Sequence, residues 1–424
     1  MLVSSSKPQL NRAPNKKILQ LVAICDKLRN PSCPPSSYID MVTVRRLASL
    51  LPDAPKAHHV GNPPTSFVNP WPSFDSSNTS GLAAVKTRFA RDRPAFIPVP
   101  DRSELVPVRK VDFETKPSTR VTWIGHASFL VQTSTAPGAS RGLNILCDPV
   151  FAERTSPVTW AGPKRYTPTP CTLQELVDGV DVDLVILSHN HYDHADTETL
   201  KFLHKHRQGN VHFLTGLNNS RWLTTCGIPA SQITELDWWD PVEVEVENAG
   251  AVRITCTPTQ HFSSRGIFDR GCDLWCSYAI EELTGQSADA LKNIYFSGDT
   301  GYRSITGNMT REEEDALPTC PEFKRIGELL GPFDLSMLPI GLCTPRAFMS
   351  PVHVNSWDSV KIHKEIKSKK SIGMHWGTVR GGLSQEYEDV RTPPRDWKTA
   401  AEDAGLTWGQ DVGLMDIGET LIVE

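Results

Sequence analysis

The stretch VILSHNHYDHAD, residues 185–196, sets three histidines and two aspartates within eight positions, directly after an apolar run. His189, His191, Asp193 and His194 stand in the order H-x-H-x-D-H. The preceding run, 183–187, is apolar from Leu184 to Leu187, as expected of a strand buried on both faces. The following DTETLKFLHKHR (196–207) has a helical pattern. The histidines therefore sit on the loop that leaves a buried strand, where functional groups of α/β folds concentrate. Neutral imidazoles and carboxylates are good ligands for zinc and similar divalent ions. Four ligands in six residues are more than one tight loop can aim at one tetrahedral ion. The spacing implies two adjacent metals, with His189 and His191 on one and Asp193 and His194 on the other.

Two metals need further ligands, and few of the thirteen histidines have a suitable setting. His261 follows a strand-like run in ITCTPTQHF (254–262), and His375 ends another in SIGMHWGT (371–378). His353 lies just before a helical segment. His126 ends a strand in WIGHAS, where a place behind the ligands and a place in the core are equally compatible with the sequence. His204, His206 and His363 fall in charged helical segments and read as surface residues; His212 begins a strand, and His58 and His59 lie in an irregular arm. Asp299, in NIYFSGDTGY, projects from a strand end between Gly298 and Gly301. Alone it would read as an Asx turn. Beside a two-metal site that lacks a bridging acid, it reads as that acid.

Around this centre, strand-like runs such as RVTWIGHASFLVQT (120–133) and VEVEVENAGAVRITCTP (242–258) dominate early, and strand–helix units follow. The alternation over 241–256 predicts an antiparallel hairpin with one wet face. Two sheets with helices outside satisfy both the alternating and the fully apolar runs, which makes the fold class α/β. Residues 1–55 read as an N-terminal extension, partly disordered or a short helix, and 56–424 as the main domain. The segment LPDAPKAHHVGNPPTSFVNPWPSF (51–74) joins them as extended, proline-punctuated chain pinned by Phe67, Trp71 and Phe74.

The net charge of −5 gives no reason to expect a nucleic-acid partner. Ten scattered cysteines without zinc-finger spacing read as reduced thiols of an intracellular protein. No run of eighteen apolar residues predicts a transmembrane helix. The first 25 residues are basic and free of acid, and KKILQLVAICDKL (16–28) is apolar on one side. That start fits a mitochondrial transit peptide, a membrane-surface helix, or a plain tail with a solvated basic helix.

The order H-x-H-x-D-H, His261, Asp299, His375 resembles the metallo-β-lactamase-fold hydrolases, and so implies a four-layer αββα sandwich. The strings NPWPSF, VTWIGHASFLVQ, CDPVFAERTSPVTWAGPKR, LSHNHYDHAD, ELDWW, TPTQHF, YFSGDTGY, LPIG with PRAFM, and HWGT resemble the N-acylphosphatidylethanolamine-hydrolysing phospholipase D family over residues 60–400. That resemblance implies two Zn²⁺ per chain. His189, His191 and His261 would hold one, Asp193, His194 and His375 the other, and Asp299 would bridge them. His353 matches an additional active-site histidine. Asp299 and His353 are the expected catalytic residues.

The implied reaction is hydrolysis of N-acylphosphatidylethanolamine to N-acylethanolamine and phosphatidic acid by a metal-bridged hydroxide. The same ligands would serve a hydrolase of another ester, a lactone or a soluble phosphodiester. A non-catalytic relative is disfavoured, since all seven ligands are present. A membrane-borne substrate implies peripheral membrane or cytoplasmic location, with the aromatic arm or the 16–28 helix as landing surface, and the family implies a homodimer. The sequence departs from the family pattern at Leu342-Cys343-Thr344, at Val352 and over VRGGLSQEYEDVRTPP (379–394), in loops expected to face substrate.

Overall fold

The computed structural model describes residues 41–75, 77, 94–266, 268–285, 287, 291–382 and 384–424. The strands in chain order are β1 Val42–Arg46, β2 His59–Val60, β3 Ser66–Phe67, β4 Arg120–Gly125, β5 Ser128–Gln132, β6 Asn144–Cys147, β7 Lys164–Arg165, β8 Leu184–Leu187, β9 His212–Gly216 and β10 Ile233–Leu236. They continue with β11 Pro241–Val246, β12 Gly250–Thr257, β13 Ser277–Glu282, β14 Asn293–Phe296, β15 Leu335–Pro339, β16 Ser371–Met374, β17 Val379–Arg380, β18 Val412–Gly413 and β19 Thr420–Ile422.

Two large sheets form. One runs β1-β11-β12-β13-β14-β15-β16-β18, the other β10-β9-β8-β6-β5-β4-β19. Each is antiparallel in one half and parallel in the other. The predicted hairpin is β11 and β12, with Val244 paired to Val252. Strand β8 is buried along its whole length. Leu184 and Ile186 enter the core between the sheets, where they join Val244, Ile254, Tyr278, Phe296 and Met337. Val185 and Leu187 point the other way, toward Leu176, Leu200, Leu203 and Leu223 of covering helices. A continuous apolar run is thus what a two-faced strand requires. The opposite sheet is covered by the helices Glu322–Leu329, Ser356–Glu365 and Thr392–Asp403, which place Phe323, Ile326, Val360, Ile362, Trp397 and Ala400 in the core. The layers are helix, sheet, sheet, helix, as an α/β sandwich demands.

Two expectations need correction. The extension does not end at residue 55: Val42–Arg46 pairs antiparallel with β11 as an edge strand of the main sheet. Its β-branched residues Val42, Thr43 and Val44 suit a pleated surface, and the charged Arg45 and Arg46 end it in solvent. Residues 1–40, including the helix expected at 16–28, lie outside the described residues. His363 is not a surface residue. Its helix turns it onto β16, where Nδ1 lies 2.8 Å from Ser371 Oγ and the side chain is buried. The arm is pinned as expected: Phe67 and Trp71 are buried and Phe74 is half-buried. The eight cysteines among the described residues are unbridged, and no helix there is long and apolar enough to cross a membrane.

Candidate metal centre

Most candidates follow the C-terminal end of a strand at one edge of the sandwich: His126 after β4, the 189–194 loop after β8, His261 after β12, Asp299 after β14 and His375 after β16; His353 follows the short helix Arg346–Met349 in the connection after β15. The 189–194 loop is held at both ends. At its start, Ser188 donates from N and Oγ to Asp148, at 2.7 and 2.5 Å. At its finish, Asp196 caps the helix Thr197–His206 and accepts from the backbone N–H of Ala152. Between them, His194 N and Ala195 N both donate to His191 O, closing a tight turn.

One set of imidazoles converges first. His189 Nε2 and His191 Nδ1 lie 2.9 Å apart, and His261 Nε2 lies 3.2 Å from His191 Nδ1. Outer hydrogen bonds fix two tautomers. The Ser188 hydroxyl gives its proton to Asp148, so it accepts from His189 Nδ1 at 2.9 Å. His261 Nδ1 donates to Val352 O at 2.8 Å. Each leaves an Nε2 lone pair directed at the others, the pattern by which a second group orients a metal-binding histidine.

The second set is His126, Asp193, His194 and His375. His194 Nδ1 faces Asp148 Oδ2 at 2.7 Å, which turns its Nε2 to within 3.2 Å of Asp299 Oδ2. His375 Nε2 is 3.1 Å from Asp299 Oδ1 and 3.8 Å from Asp193 Oδ2. Asp299 stands between the sets, with Oδ2 3.9 Å from His261 Nε2. His353 Nδ1 lies 3.7 Å from that oxygen. His353 does not cap the helix that follows; Asn355 does, accepting from Asp358 N.

The residues fit a metal pair. His194 Nε2, His375 Nε2, His353 Nδ1 and Asp299 Oδ1 are buried without a hydrogen-bond partner. Such orphaned atoms are costly unless a ligand satisfies them. Electrostatics point the same way. Burial would raise the Asp299 carboxyl, but His194, His375 and His353 hold it well below the usual carboxylate range. Burial lowers His191 to about 4 and His261 to about 3, so both are neutral donors at physiological pH. Burial would also lower His194 and His375, but Asp299 outweighs it, and His375 rises to about 9. Positive charge is thus drawn to the place between the carboxylates.

All seven predicted ligands and His353 come together at this edge. Two further residues join them. His126 Nε2 is 3.2 Å from Asp193 Oδ2, and its ring lies 4.1 Å from that of His375. Asp148, which the sequence reading does not single out, orients both Ser188 and His194. The available signal is the CDPV string, an aspartate at a strand end before a proline. His126, Asp148 and His375 all have positive φ, at 55°, 41° and 62°. Non-glycine residues rarely adopt this conformation, and such strain gathers at functional sites. Gly298, at φ 55°, lets β14 end against Ser188: a Cβ there would lie 2.4 Å from Ser188 Cβ. Asn190 is buried and donates to Asp273, while the Tyr192 hydroxyl donates to Arg265 O and its side chain lines the cavity over the centre.

A cavity of about 370 Å³ opens over the centre, touching His191, Asp193, His353 and His375. Its walls carry Pro163, Leu342, Phe348, Met349, Val379 and Arg380. Leu342, Val379 and Arg380 belong to the segments that depart from the family pattern.

Residues 143–376 match the Beta-lactamase superfamily domain. The N-acyl-phosphatidylethanolamine-hydrolyzing phospholipase D 1 of Caenorhabditis elegans is 34% identical over 311 residues, 73% of this chain and 78% of the relative. The mitochondrial N-acyl-phosphatidylethanolamine-hydrolyzing phospholipase D of Saccharomyces cerevisiae is 31% identical over 254 residues, 58% of this chain and 46% of that protein. A metal-dependent hydrolase from Rubrobacter xylanophilus is 26% identical over 308 residues, 72% of this chain and 96% of that protein. The chain belongs to the N-acyl-phosphatidylethanolamine-hydrolysing phospholipase D family within the beta-lactamase superfamily, and it is a metal-dependent hydrolase.

Proposed function

We propose that the chain is a zinc-dependent phosphodiesterase that cleaves N-acylphosphatidylethanolamine to N-acylethanolamine and phosphatidic acid. The observation that carries this reading is the cavity: its floor bears the clustered His and Asp side chains, and its walls bear Leu342, Phe348, Met349 and Val379. An anionic centre attached to apolar chains matches that division. The named activities of the worm and yeast relatives support the same choice.

His189, His191 and His261 would hold one zinc, and Asp193, His194 and His375 a second, with Asp299 shared. Imidazole and carboxylate donors suit zinc better than magnesium or calcium. Bound there, two divalent cations supply positive charge that lowers the pKa of water and neutralises phosphoryl oxygens. Asp299 fixes the distance between the two ligand sets and offers a carboxylate oxygen to the attacking water's proton. His353, lowered to about 3 by burial, is neutral at physiological pH. At the cavity wall it donates a hydrogen bond to a phosphoryl oxygen, a role available to a neutral imidazole. His126 holds Asp193, and Asp148 holds His194.

The substrate lives in a bilayer, and two loops beside the cavity carry exposed aromatics. Trp160, on the loop that supplies Thr155 and Pro163 to the lining, is 80% exposed; Phe268, on the loop that supplies Ser264, is 96% exposed. We assign membrane docking to these two residues rather than to the arm aromatics, which are packed. The location that follows is a peripheral one at an intracellular membrane, for which the yeast relative's mitochondrial name gives a first compartment to examine. The test is turnover of N-acylphosphatidylethanolamine in detergent with and without chelator. Turnover of a lactone or a soluble phosphodiester in its place would favour the alternative hydrolase.

A further inference from the structure

Apart from the centre described above, His58, His59 and Asp237 bring ligand atoms within 4.8 Å of one another. The two histidines come from the arm, and Asp237 follows β10 directly. His58 Nε2 lies 2.7 Å from Asp237 Oδ1, and His59 Nε2 lies 3.0 Å from Oδ2. The first contact is a hydrogen bond. The second is not: His59 Nε2 is buried and has no hydrogen-bond partner.

The arrangement repeats that of the main centre. The rings of His58 and His59 meet edge to face at 4.3 Å and 69°. His189 meets His261 at 4.5 Å and 70°, and His191 at 4.5 Å and 84°. Orphaned Nε2 atoms are common to both places, at His194 and His375 there and at His59 here. Two hydrogen-bonded imidazoles would each aim an N–H at the shared carboxylate. Here one is off line, while its nitrogen stays as near as a co-ligand would. Lys56 Nζ, 3.0 Å from Oδ2, partly neutralises Asp237. Its side chain is 36% exposed and is free to turn into solvent when a cation takes its place.

We infer that His58, His59 and Asp237 form a third metal site, structural rather than catalytic, for one zinc-like divalent cation. Two imidazoles and a carboxylate are a donor set suited to zinc. The site has a mechanical use. The arm has little regular structure of its own, yet it reaches the main centre. Asn69 Nδ2 donates to His261 O at 2.8 Å, and Asn69 Oδ1 accepts from His261 N at 3.2 Å. Ser73 Oγ donates to Gln260 Oε1 at 2.6 Å. A cation at Asp237 clamps the arm eleven residues before Asn69, and through Asn69 it steadies the backbone of His261.

The test uses full-length protein grown with zinc. Anomalous diffraction at the zinc edge should give a peak among His58, His59 and Asp237, well separated from those at the main centre. Elemental analysis should find one zinc per chain fewer in His58→Asn/His59→Asn and in Asp237→Asn than in the unaltered protein. The absence of an anomalous peak at this place, in crystals that show zinc at His189 and His261, overturns the inference and leaves the catalytic reading intact. Equal zinc in a folded His58→Asn/His59→Asn variant overturns it too. If the variants do not fold, the anomalous map of the unaltered protein decides.

Discussion

His194 Nδ1 lies 2.7 Å from Asp148 Oδ2, and both side chains are fully buried. Asp148 also accepts both donors of Ser188, the residue before His189. One carboxylate therefore sets the direction of a candidate ligand in each set. Carboxylates behind metal-binding histidines commonly contribute about 10–100-fold to affinity. Asp148→Asn keeps the shape but places an amide N–H against Ser188 or His194. Zinc affinity, read by competition with a chelating dye, should fall by about 10–100-fold. Unchanged affinity in a folded variant would remove this role from Asp148.

Asp299 is the only side chain that approaches both ligand sets through separate contacts to His261, His194 and His375 among the ion-pair contacts of the described residues. Asp299→Asn removes its charge at nearly constant volume. Turnover should drop by at least about 10²-fold, the scale lost when a pre-placed charge at a reacting centre is removed. The melting temperature without metal should fall, because His194 and His375, which the Asp299 charge raises, lose the buried anion that pairs with them. Near-normal turnover would exclude the bridging role.

Much of this centre was legible from the chain. The 189–194 loop, His261, Asp299 and His375 each follow a strand-like run, and strand ends are where backbone turns free a side chain to converge with others. Asp148 was not legible, because its work is done through Ser188 and His194, and a lone aspartate before proline has many ordinary uses. The position of β1 was hidden by a short segment with only three β-branched residues. In sequence His363 looks exposed, because the charged neighbours Lys361, Lys364 and Glu365 suggest a wet helix face, although the histidine itself turns inward onto Ser371. The arm aromatics read equally as anchors or as membrane contacts, and only packing separates those roles.

Burial lowers His363 and His212 to about 4 each. The unfolded chain binds protons at these residues from about pH 6.5 downward, while the folded chain resists until about pH 4. Stability should therefore fall as pH drops through this window, by up to about 3 kcal/mol per histidine, and level off below it. His363→Asn keeps a polar atom where Nδ1 meets Ser371 Oγ and cannot titrate. Urea unfolding of this variant at pH 7 and pH 4.5 should show a smaller difference than the unaltered protein shows. An equal difference would mean that His363 is not buried neutral.

Trp160 is 80% exposed and Phe268 96% exposed, on the loops that supply Thr155, Pro163 and Ser264 to the cavity lining. Replacing both with serine should weaken binding to phospholipid vesicles by ten-fold or more, since each aromatic loses roughly 1.5–3 kcal/mol of burial. Turnover of a detergent-dispersed substrate should change little. Vesicle sedimentation checks the first outcome. Unchanged sedimentation would move the docking surface elsewhere.

The reaction proposed for the clustered His and Asp residues is hydrolysis of the phosphodiester of an N-acylated phospholipid. The direct measurement supplies zinc-loaded protein with N-acylphosphatidylethanolamine in detergent and follows the products by mass. N-acylethanolamine and phosphatidic acid should appear in equal amounts, abolished by chelator and restored by zinc. Zinc-loaded, folded protein that releases neither product, while it hydrolyses a lactone or a soluble phosphodiester, would contradict the proposed reaction.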